Sequence, residues 1–166
     1  VAMAERIAGS EEAFVQKMNN KAKALGLKNT KFQNATGLPV DDHYSTAYDM
    51  AMMGKELLKY SSITKYTGKY ESFLRENTEK KFWLVNTNRL VKFYPGVDGL
   101  KTGFTNEAKY CLTATAQKDN MRVIAVVFGA ENPKVRNAQV TKMLDYAFSQ
   151  YTTHPVYKKN VELKKV

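Results

Sequence analysis

The stretch Tyr94-Pro-Gly-Val-Asp-Gly-Leu-Lys-Thr-Gly-Phe-Thr105 decides how this chain is interpreted, because it places Lys101, Thr102 and Gly103 on one predicted strand. An ammonium group beside a hydroxyl suits a carboxylate, since the charge attracts the anion and the hydroxyl fixes one oxygen. Gly103 lacks a Cβ, so a substrate backbone can approach the strand at that position. Taken alone, a match of three residues often arises by chance, and an ordinary surface strand is the better explanation.

The composition is that of a globular chain of ordinary domain size. Hydrophobic residues make up 43% and charged residues 25% of the 166 positions, and no apolar run reaches the length of a membrane span. Cys111 is the only cysteine, which excludes an intramolecular disulfide and a thiolate metal cluster. Its apolar neighbours predict a small buried side chain. His43 and His154 are too few and too far apart for a histidine metal site.

The chain is strongly basic, with a formal net charge of +10. Such a charge raises the local concentration of anionic partners, which include nucleic acid, an anionic cell wall and a membrane surface. The lysines are spread along polar faces between apolar positions, which favours a solvated basic surface. They do not cluster with aromatic residues in a known nucleic-acid-binding motif, so that class ranks lowest. Trp83 and the several tyrosines could serve as stacking platforms for nucleic acid, but they lie among core-type residues, and we expect them to pack in the core.

Capping residues predict where the first helices begin and end. Ser10 is expected to cap a helix that Gly26 ends, and Thr46 to cap another that runs to about Tyr60. The loop-like stretch 30–45 separates these helices, and loops of this length in compact domains are often functional. Further helices are expected near 63–66 and from Asn132-Pro133 onward.

The second half of the chain changes to a period of two, which predicts strands. The run around Phe82 and Leu84 suggests one strand, and three more are expected over 100–105, 110–116 and 121–128. Residues 126–128 are apolar enough to be expected in the centre of a sheet. Helices followed by an antiparallel three-strand run and a covering helix give an α+β layout.

Several stretches of the chain together form a recognisable pattern: 21–30, 34–39 with 43–51, 86–90, and 96–105 followed by 110–116. In this order they closely resemble the serine-type D-alanyl-D-alanine carboxypeptidases, which are low-molecular-mass penicillin-binding proteins. The resemblance extends from residue 1 to about residue 150. It implies part of a β-lactamase/transpeptidase-like fold, in which helices pack on an antiparallel sheet.

The resemblance implies hydrolysis through a covalent intermediate. A serine attacks the carbonyl of the penultimate D-Ala of a peptidoglycan stem peptide, and water then releases the shortened peptide from the acyl-enzyme. A lysine one helical turn after that serine acts as the base. β-Lactam antibiotics such as penicillin mimic D-Ala-D-Ala and acylate the same serine. No metal or organic cofactor is implied.

The resemblance also assigns expected roles to residues of this chain. Lys101 and Thr102 would hold the terminal carboxylate, with Gly103 on the same wall. The backbone N–H of Phe104 would be one oxyanion-hole donor. Arg136 matches a family arginine on the last helix that also serves the carboxylate, and its alternative interpretation is a solvated helix arginine.

The family's Ser-x-x-Lys and Ser-x-Asn motifs do not occur where the family order requires them. The one Ser-x-x-Lys, from Ser62 to Lys65, follows the 34–39 loop, and no Ser-x-Asn stands between it and Lys101. We therefore interpret this match as coincidental. His43 has no adjacent Ser or Cys nucleophile, so a structural loop role is expected for it. We expect no catalytic side chain in these 166 residues, which would then be inactive alone.

The pattern predicts two regions. Residues 1–152 are expected to be the C-terminal half of the carboxypeptidase catalytic domain. Residues 153–166 are expected to begin a following β-domain or a linker, because Val161 and Leu163 alternate with polar residues.

The implied location is the cell envelope, on the outer side of the cytoplasmic membrane. The protein would be secreted, or anchored through a C-terminal helix that this chain does not contain. The alternative function is a non-catalytic module on the same fold that binds a peptide carboxylate without cleaving the peptide.

Overall fold

The computed structural model describes residues 1–157 and residue 161, and it has helices in the first half and a sheet with a covering helix in the second. This order confirms the expected α+β layout. In chain order the elements are α1 (Ala2–Ala8), α2 (Glu11–Ala24), α3 (Ala47–Leu57), α4 (Ile63–Thr67), β1 (Glu71–Leu74), β2 (Phe82–Val85), α5 (Leu90–Phe93), β3 (Val97–Thr105), β4 (Lys109–Lys118), β5 (Met121–Ala130) and α6 (Pro133–Gln150).

Side-chain caps start three of these helices. Ser10 Oγ accepts a hydrogen bond from the third residue of α2, Thr46 Oγ1 does the same in α3, and Asn132 Oδ1 in α6. Each cap satisfies a backbone N–H that has no partner inside the helix. Helix α3 ends at Leu57 rather than near the expected Tyr60, because the following residues bond to carbonyls three positions back and form a turn.

Strands β3, β4 and β5 form an antiparallel sheet in that order, so β4 is the central strand of the described sheet. Lys101 pairs with Thr113, and Thr113 pairs with Val126 on the other side. The expectation that 126–128 lie in the sheet centre is wrong for the described residues, and Phe128 is 41% exposed. Strand β5 is apolar because α3 and α6 both pack on it, which the sequence pattern cannot separate from a central position.

The core lies between this sheet and α6, as the covering-helix expectation required. Val140 and Leu144 of α6 are fully buried in one cluster with Leu112, Ala114 and Ala125 of the sheet. Removing each large aliphatic side chain from water contributes roughly 1.5–3 kcal/mol. The opposite face receives α3, where a Cβ added to Gly54 would lie 3.2 Å from Leu100 Cδ1 and 3.8 Å from Ile124 Cγ2.

A two-stranded hairpin of β1 and β2 stands beside the main sheet. The expected strand near Phe82 and Leu84 is present as β2, whereas its partner β1 is not evident from the sequence pattern. The expectation of core packing for Trp83 is wrong, because its side chain is 56% exposed and its Nε1 donates to Glu71 Oε2 at 3.0 Å. A hairpin of two four-residue strands is too small to bury the side chains on both of its faces. The same expectation is wrong for most of the tyrosines, since Tyr94 is the only buried one among the described residues.

Residues 151–157 form no regular secondary structure. The strand expected around Val161 and Leu163 lies outside the described residues, except for Val161 itself. Within the described part of the chain, no helix is both long and apolar enough to cross a membrane.

The outer edge of β5 leads to a prediction about the 166-residue chain alone. Within the described residues β5 pairs only with β4, and such unpaired edges invite pairing with another chain. We expect the isolated chain to self-associate or to be only marginally stable, as judged by sedimentation and thermal melting. Phe128→Lys places a charge on this edge and should weaken any self-association.

Tyr66→Lys, which changes an exposed aromatic residue on α4, is the matched control and should leave self-association unchanged. A monomeric chain that melts cooperatively above about 65 °C, the top of the usual mesophile range, would contradict the expectation.

Candidate functional site

The start of β3 is held by three other elements immediately before Lys101. Thr67 Oγ1 of α4 donates to the Asp98 carbonyl at 2.7 Å, and Asn88 Nδ2 donates to the Gly99 carbonyl at 2.9 Å. Arg122 of β5 binds both oxygens of the Asp98 carboxylate at 2.8 Å. A Cβ on Gly99 would lie 2.6 Å from Thr67 Oγ1, so glycine is required for this close approach.

The segment 86–88 connects the β1–β2 hairpin to this anchor. Asn86 Nδ2 donates to the carbonyls of Thr67 and Lys69, both at 2.9 Å. Asn88 is 1% exposed, and its Oδ1 accepts from Leu90 N at 3.2 Å. The stretch 86–90 carries part of the family resemblance, but the sequence analysis did not predict this positioning role. The usable signal is a pair of asparagines in a short loop, since their side chains commonly bond nearby backbone.

An open cavity of about 480 Å³ lies beside β3. It brings together Lys101, Thr102, Gly103, Phe104 and Arg136, the residues that the sequence singled out. The remaining lining residues are Thr87, Arg89, Tyr110 and Pro133. The cavity is therefore built from β3, the start of β4, the first turn of α6 and the segment that precedes α5.

Two side chains of the triplet already have polar partners on the cavity wall. Lys101 Nζ donates to the carbonyl of Thr102 at 2.5 Å. The hydroxyls of Thr102 and Thr87 lie 2.6 Å apart, and either can be the donor. At Gly103 the nearest atom to an added Cβ would be Cys111 Cβ at 3.9 Å, so packing inside the chain does not require glycine there.

Arg136 lies in the first turn of α6 and is only 5% exposed, which is incompatible with a solvated helix arginine. Its Nε and one terminal nitrogen donate to Asn137 Oδ1 at 3.1 and 3.0 Å. The ion pairs of the described residues do not include Arg136. Burial lowers the pKa of Arg136 below its usual value, because desolvation penalises the charged form.

The lining of the cavity is electropositive. Arg89, Lys101 and Arg136 contribute three cationic side chains, whereas the described lining includes no aspartate or glutamate. Positive charges gathered around a concave surface raise the local concentration of anions. The geometry is that of an anion-binding site.

Comparison with known proteins identifies the family. A family model described as D-alanyl-D-alanine carboxypeptidase matches residues 1–132. This chain belongs to the D-alanyl-D-alanine carboxypeptidase family. The match confirms the resemblance on which the expected site residues were chosen.

Curated relatives of this chain extend well beyond it. It is 75% identical over 166 residues to the D-alanyl-D-alanine carboxypeptidase DacF of Bacillus subtilis, covering all of this chain and 43% of the relative. It is 39% identical over 158 residues to DacA of Escherichia coli, covering 92% of this chain and 37% of the relative. The chain thus spans less than half the length of these relatives.

Solved structures confirm the fold class. The cefotaxime-bound penicillin-binding protein D2 of Listeria monocytogenes superposes with a TM-score of 0.77 at 35% identity, covering 87% of this chain and 58% of that one. The carboxypeptidase DacD of Francisella tularensis gives a TM-score of 0.84 at 29% identity, covering 96% and 50%. This chain therefore has part of the penicillin-binding protein fold.

Other candidate residues lie away from the cavity of this family member. Ser62 and Lys65 are exposed at the start of α4, and neither lines the cavity. His43 Nδ1 accepts a hydrogen bond from Gln33 N at 3.2 Å, and its ring meets the edge of Phe32 at 5.9 Å between centroids. These contacts give His43 a structural role in the loop.

Cys111 is only half-buried, so the expectation of a buried thiol is partly wrong. It pairs across the sheet with Gly103, which has no side chain to cover it. The Cys111 thiol donates a hydrogen bond to the Ala108 carbonyl at 3.2 Å. Within the described residues, no three His, Cys, Asp or Glu side chains come together in a way that could hold a metal ion.

Proposed function

We propose that this chain is part of a serine D-Ala-D-Ala carboxypeptidase, which removes the terminal D-Ala from peptidoglycan stem peptides and is acylated by β-lactams. The observation that carries the proposal is the cavity that joins Lys101, Thr102 and a buried Arg136 without a carboxylate in its described lining. A cavity of this kind suits the free carboxylate at the end of a peptide.

The burial of Arg136 is the strongest reason to expect a carboxylate ligand in the cavity. Burying a guanidinium costs several kcal/mol unless an anion compensates, and Arg136 has no ion-pair partner among the described residues. Asn137 supplies only a neutral acceptor. A substrate carboxylate that enters the cavity would provide the missing charge. The cost of keeping this cation buried would then be recovered on binding.

Lys101 and Thr102 would complete the carboxylate site. The ammonium of Lys101 would exchange its bond to the Thr102 carbonyl for a stronger charge-assisted bond to the ligand. If the Thr87 hydroxyl donates to Thr102 Oγ1, the Thr102 hydroxyl proton is free to donate to the carboxylate. Thr87 would thus orient Thr102.

The open space at Gly103 would let the peptide backbone run along β3. The nucleophilic serine would attack the carbonyl carbon of the penultimate D-Ala, while the lysine one helical turn after it takes up the serine proton and later passes it to the leaving D-Ala. The backbone N–H of Phe104 and the N–H of the serine would stabilise the oxyanion. Collapse of the tetrahedral intermediate breaks the amide bond, the leaving D-Ala takes up a proton, and water hydrolyses the resulting ester.

In this proposal the nucleophile is not among these 166 residues, so the chain alone would hold a carboxylate without cleaving the peptide. The described lining of the cavity includes no serine, which is the observation that favours the binding-module alternative for the isolated chain. Residues 1–152 would form half of the catalytic domain, and 153–166 would begin a β-domain or a linker. The full-length enzyme would act in the cell envelope, with membrane attachment only through a C-terminal anchor, and would not bind nucleic acid.

One prediction concerns covalent labelling. The isolated chain should not be labelled by a fluorescent penicillin, because Ser62 lies outside the cavity and its hydrogen bond with Lys65 joins backbone atoms only. Gel fluorescence of the chain and of Ser62→Ala measures this. A labelled band that disappears in Ser62→Ala would overturn the proposal that the nucleophile lies elsewhere.

Another prediction concerns Lys101 in the full-length enzyme. Lys101→Ala removes a charge-assisted contact that contributes roughly 1.5–3 kcal/mol, so kcat/KM for a D-Ala-D-Ala peptide should fall about tenfold to a hundredfold. Lys142→Ala, which removes an exposed lysine on α6, is the matched control and should keep the parent value. Unchanged efficiency in a folded Lys101→Ala enzyme would show that Lys101 is not in the site.

A further inference from the structure

We propose that Arg89 forms a second anion subsite in the cavity, which binds a side-chain carboxylate of the peptide substrate. This inference rests on the proposed function and extends it to the choice of substrate. The penultimate and terminal residues of the substrate are alanines, whose only free carboxylate is the terminal one. A second carboxylate must therefore belong to a residue on the N-terminal side of the D-Ala pair.

The position of Arg89 is fixed relative to the triplet strand. It lines the same cavity as Lys101 but reaches it from the segment between β2 and α5. The residue before it, Asn88, is buried and bonded to the Gly99 carbonyl. Two positions before Arg89, Thr87 contacts the hydroxyl of Thr102. The Arg89 backbone is thus attached to the strand that would hold the terminal carboxylate.

The guanidinium of Arg89 is oriented but not saturated. One terminal nitrogen donates to the Tyr70 hydroxyl at 2.5 Å, and Cζ lies 5.7 Å from the centroid of the Tyr70 ring. Tyr70 is supported in turn by an edge contact with Phe93, at 6.3 Å between centroids. Among the described contacts, Arg89 Nε and the other terminal nitrogen have no acceptor. These two donors form the side-on pair that binds a carboxylate through two parallel hydrogen bonds.

The charge of the cavity also exceeds what one carboxylate can balance. Lys101 and Arg136 suffice for the terminal carboxylate, and the described lining offers Arg89 no acidic partner. A substrate with a second free carboxylate would match the third cation. An amidated side chain at the same position would leave the Arg89 donors without an anion.

Lys92 provides a matched control within the same cluster. Its Nζ lies 4.7 Å from the centroid of the Tyr70 ring, so it shares the aromatic neighbour of Arg89. It does not line the cavity. A role that depended only on positive charge near Tyr70 would affect both residues, whereas a carboxylate subsite requires Arg89.

The test uses the full-length enzyme and two peptides that end in D-Ala-D-Ala. They differ only at the residue before the D-Ala pair, whose side chain ends in a free carboxylate in one peptide and in the primary amide in the other. The quantity measured is the ratio of the two kcat/KM values. The parent enzyme should prefer the carboxylate peptide by roughly threefold to tenfold, since the contact is charge-assisted but partly solvated.

Arg89→Gln should bring this ratio to about one, Arg89→Lys should retain part of it, and Lys92→Gln should keep the parent ratio. A parent enzyme that cleaves both peptides equally would overturn the subsite while leaving the proposed function intact. If Arg89→Gln lowers kcat/KM for both peptides by the same factor, the ratio stays at the parent value. That result would also overturn the subsite. Failure of the parent enzyme to cleave either peptide would overturn the proposed function and this inference together.

Discussion

Strand β3 is anchored at Asp98 and Gly99. Helix α4 and the segment 86–88 donate hydrogen bonds to the carbonyl groups of these two residues, and Arg122 of β5 binds the Asp98 carboxylate. This attachment lies two and three residues before Lys101, so it fixes the direction in which the triplet enters the cavity. It combines a buried amide, a hydroxyl and a bidentate ion pair, and each satisfies a polar group that would otherwise be costly to bury. The packing of α6 against β4 then brings Arg136 to the opposite wall.

The cavity gathers positive charge from three separate parts of the chain. Lys101 comes from β3, Arg136 from α6 and Arg89 from the loop before α5. Such an arrangement is unfavourable in the absence of an anion. The burial of Arg136 adds a separate cost, because desolvation penalises its charged form and lowers its pKa. The proposed ligand would offset these costs, so the same cationic groups would contribute to binding. Functional sites that need fixed charges commonly lower the stability of the folded protein in this way.

Much of the fold could be predicted from local signals. The caps at Ser10, Thr46 and Asn132 and the alternating pattern of β3 to β5 depend on residues within a few positions of each other. The family motifs then selected five residues that line one cavity. Two features could not be predicted: the exposure of Trp83 on the hairpin and the position of β5 at the edge of the described sheet. Both depend on which elements pack against a strand. Arg89 could not be identified for a similar reason, since only the fold brings it beside Lys101.

The most direct measurement of the central claim, that the anchor on β3 positions the carboxylate site, is the rate of penicillin acylation in the full-length enzyme after Asn88→Ala. This variant removes the bond to the Gly99 carbonyl, and a misplaced strand should lower the second-order rate constant roughly tenfold to a hundredfold even where the enzyme remains folded. Asn77→Ala, at an exposed position of the hairpin turn, is the control and should be acylated at the parent rate. Acylation of folded Asn88→Ala at the parent rate would contradict the account.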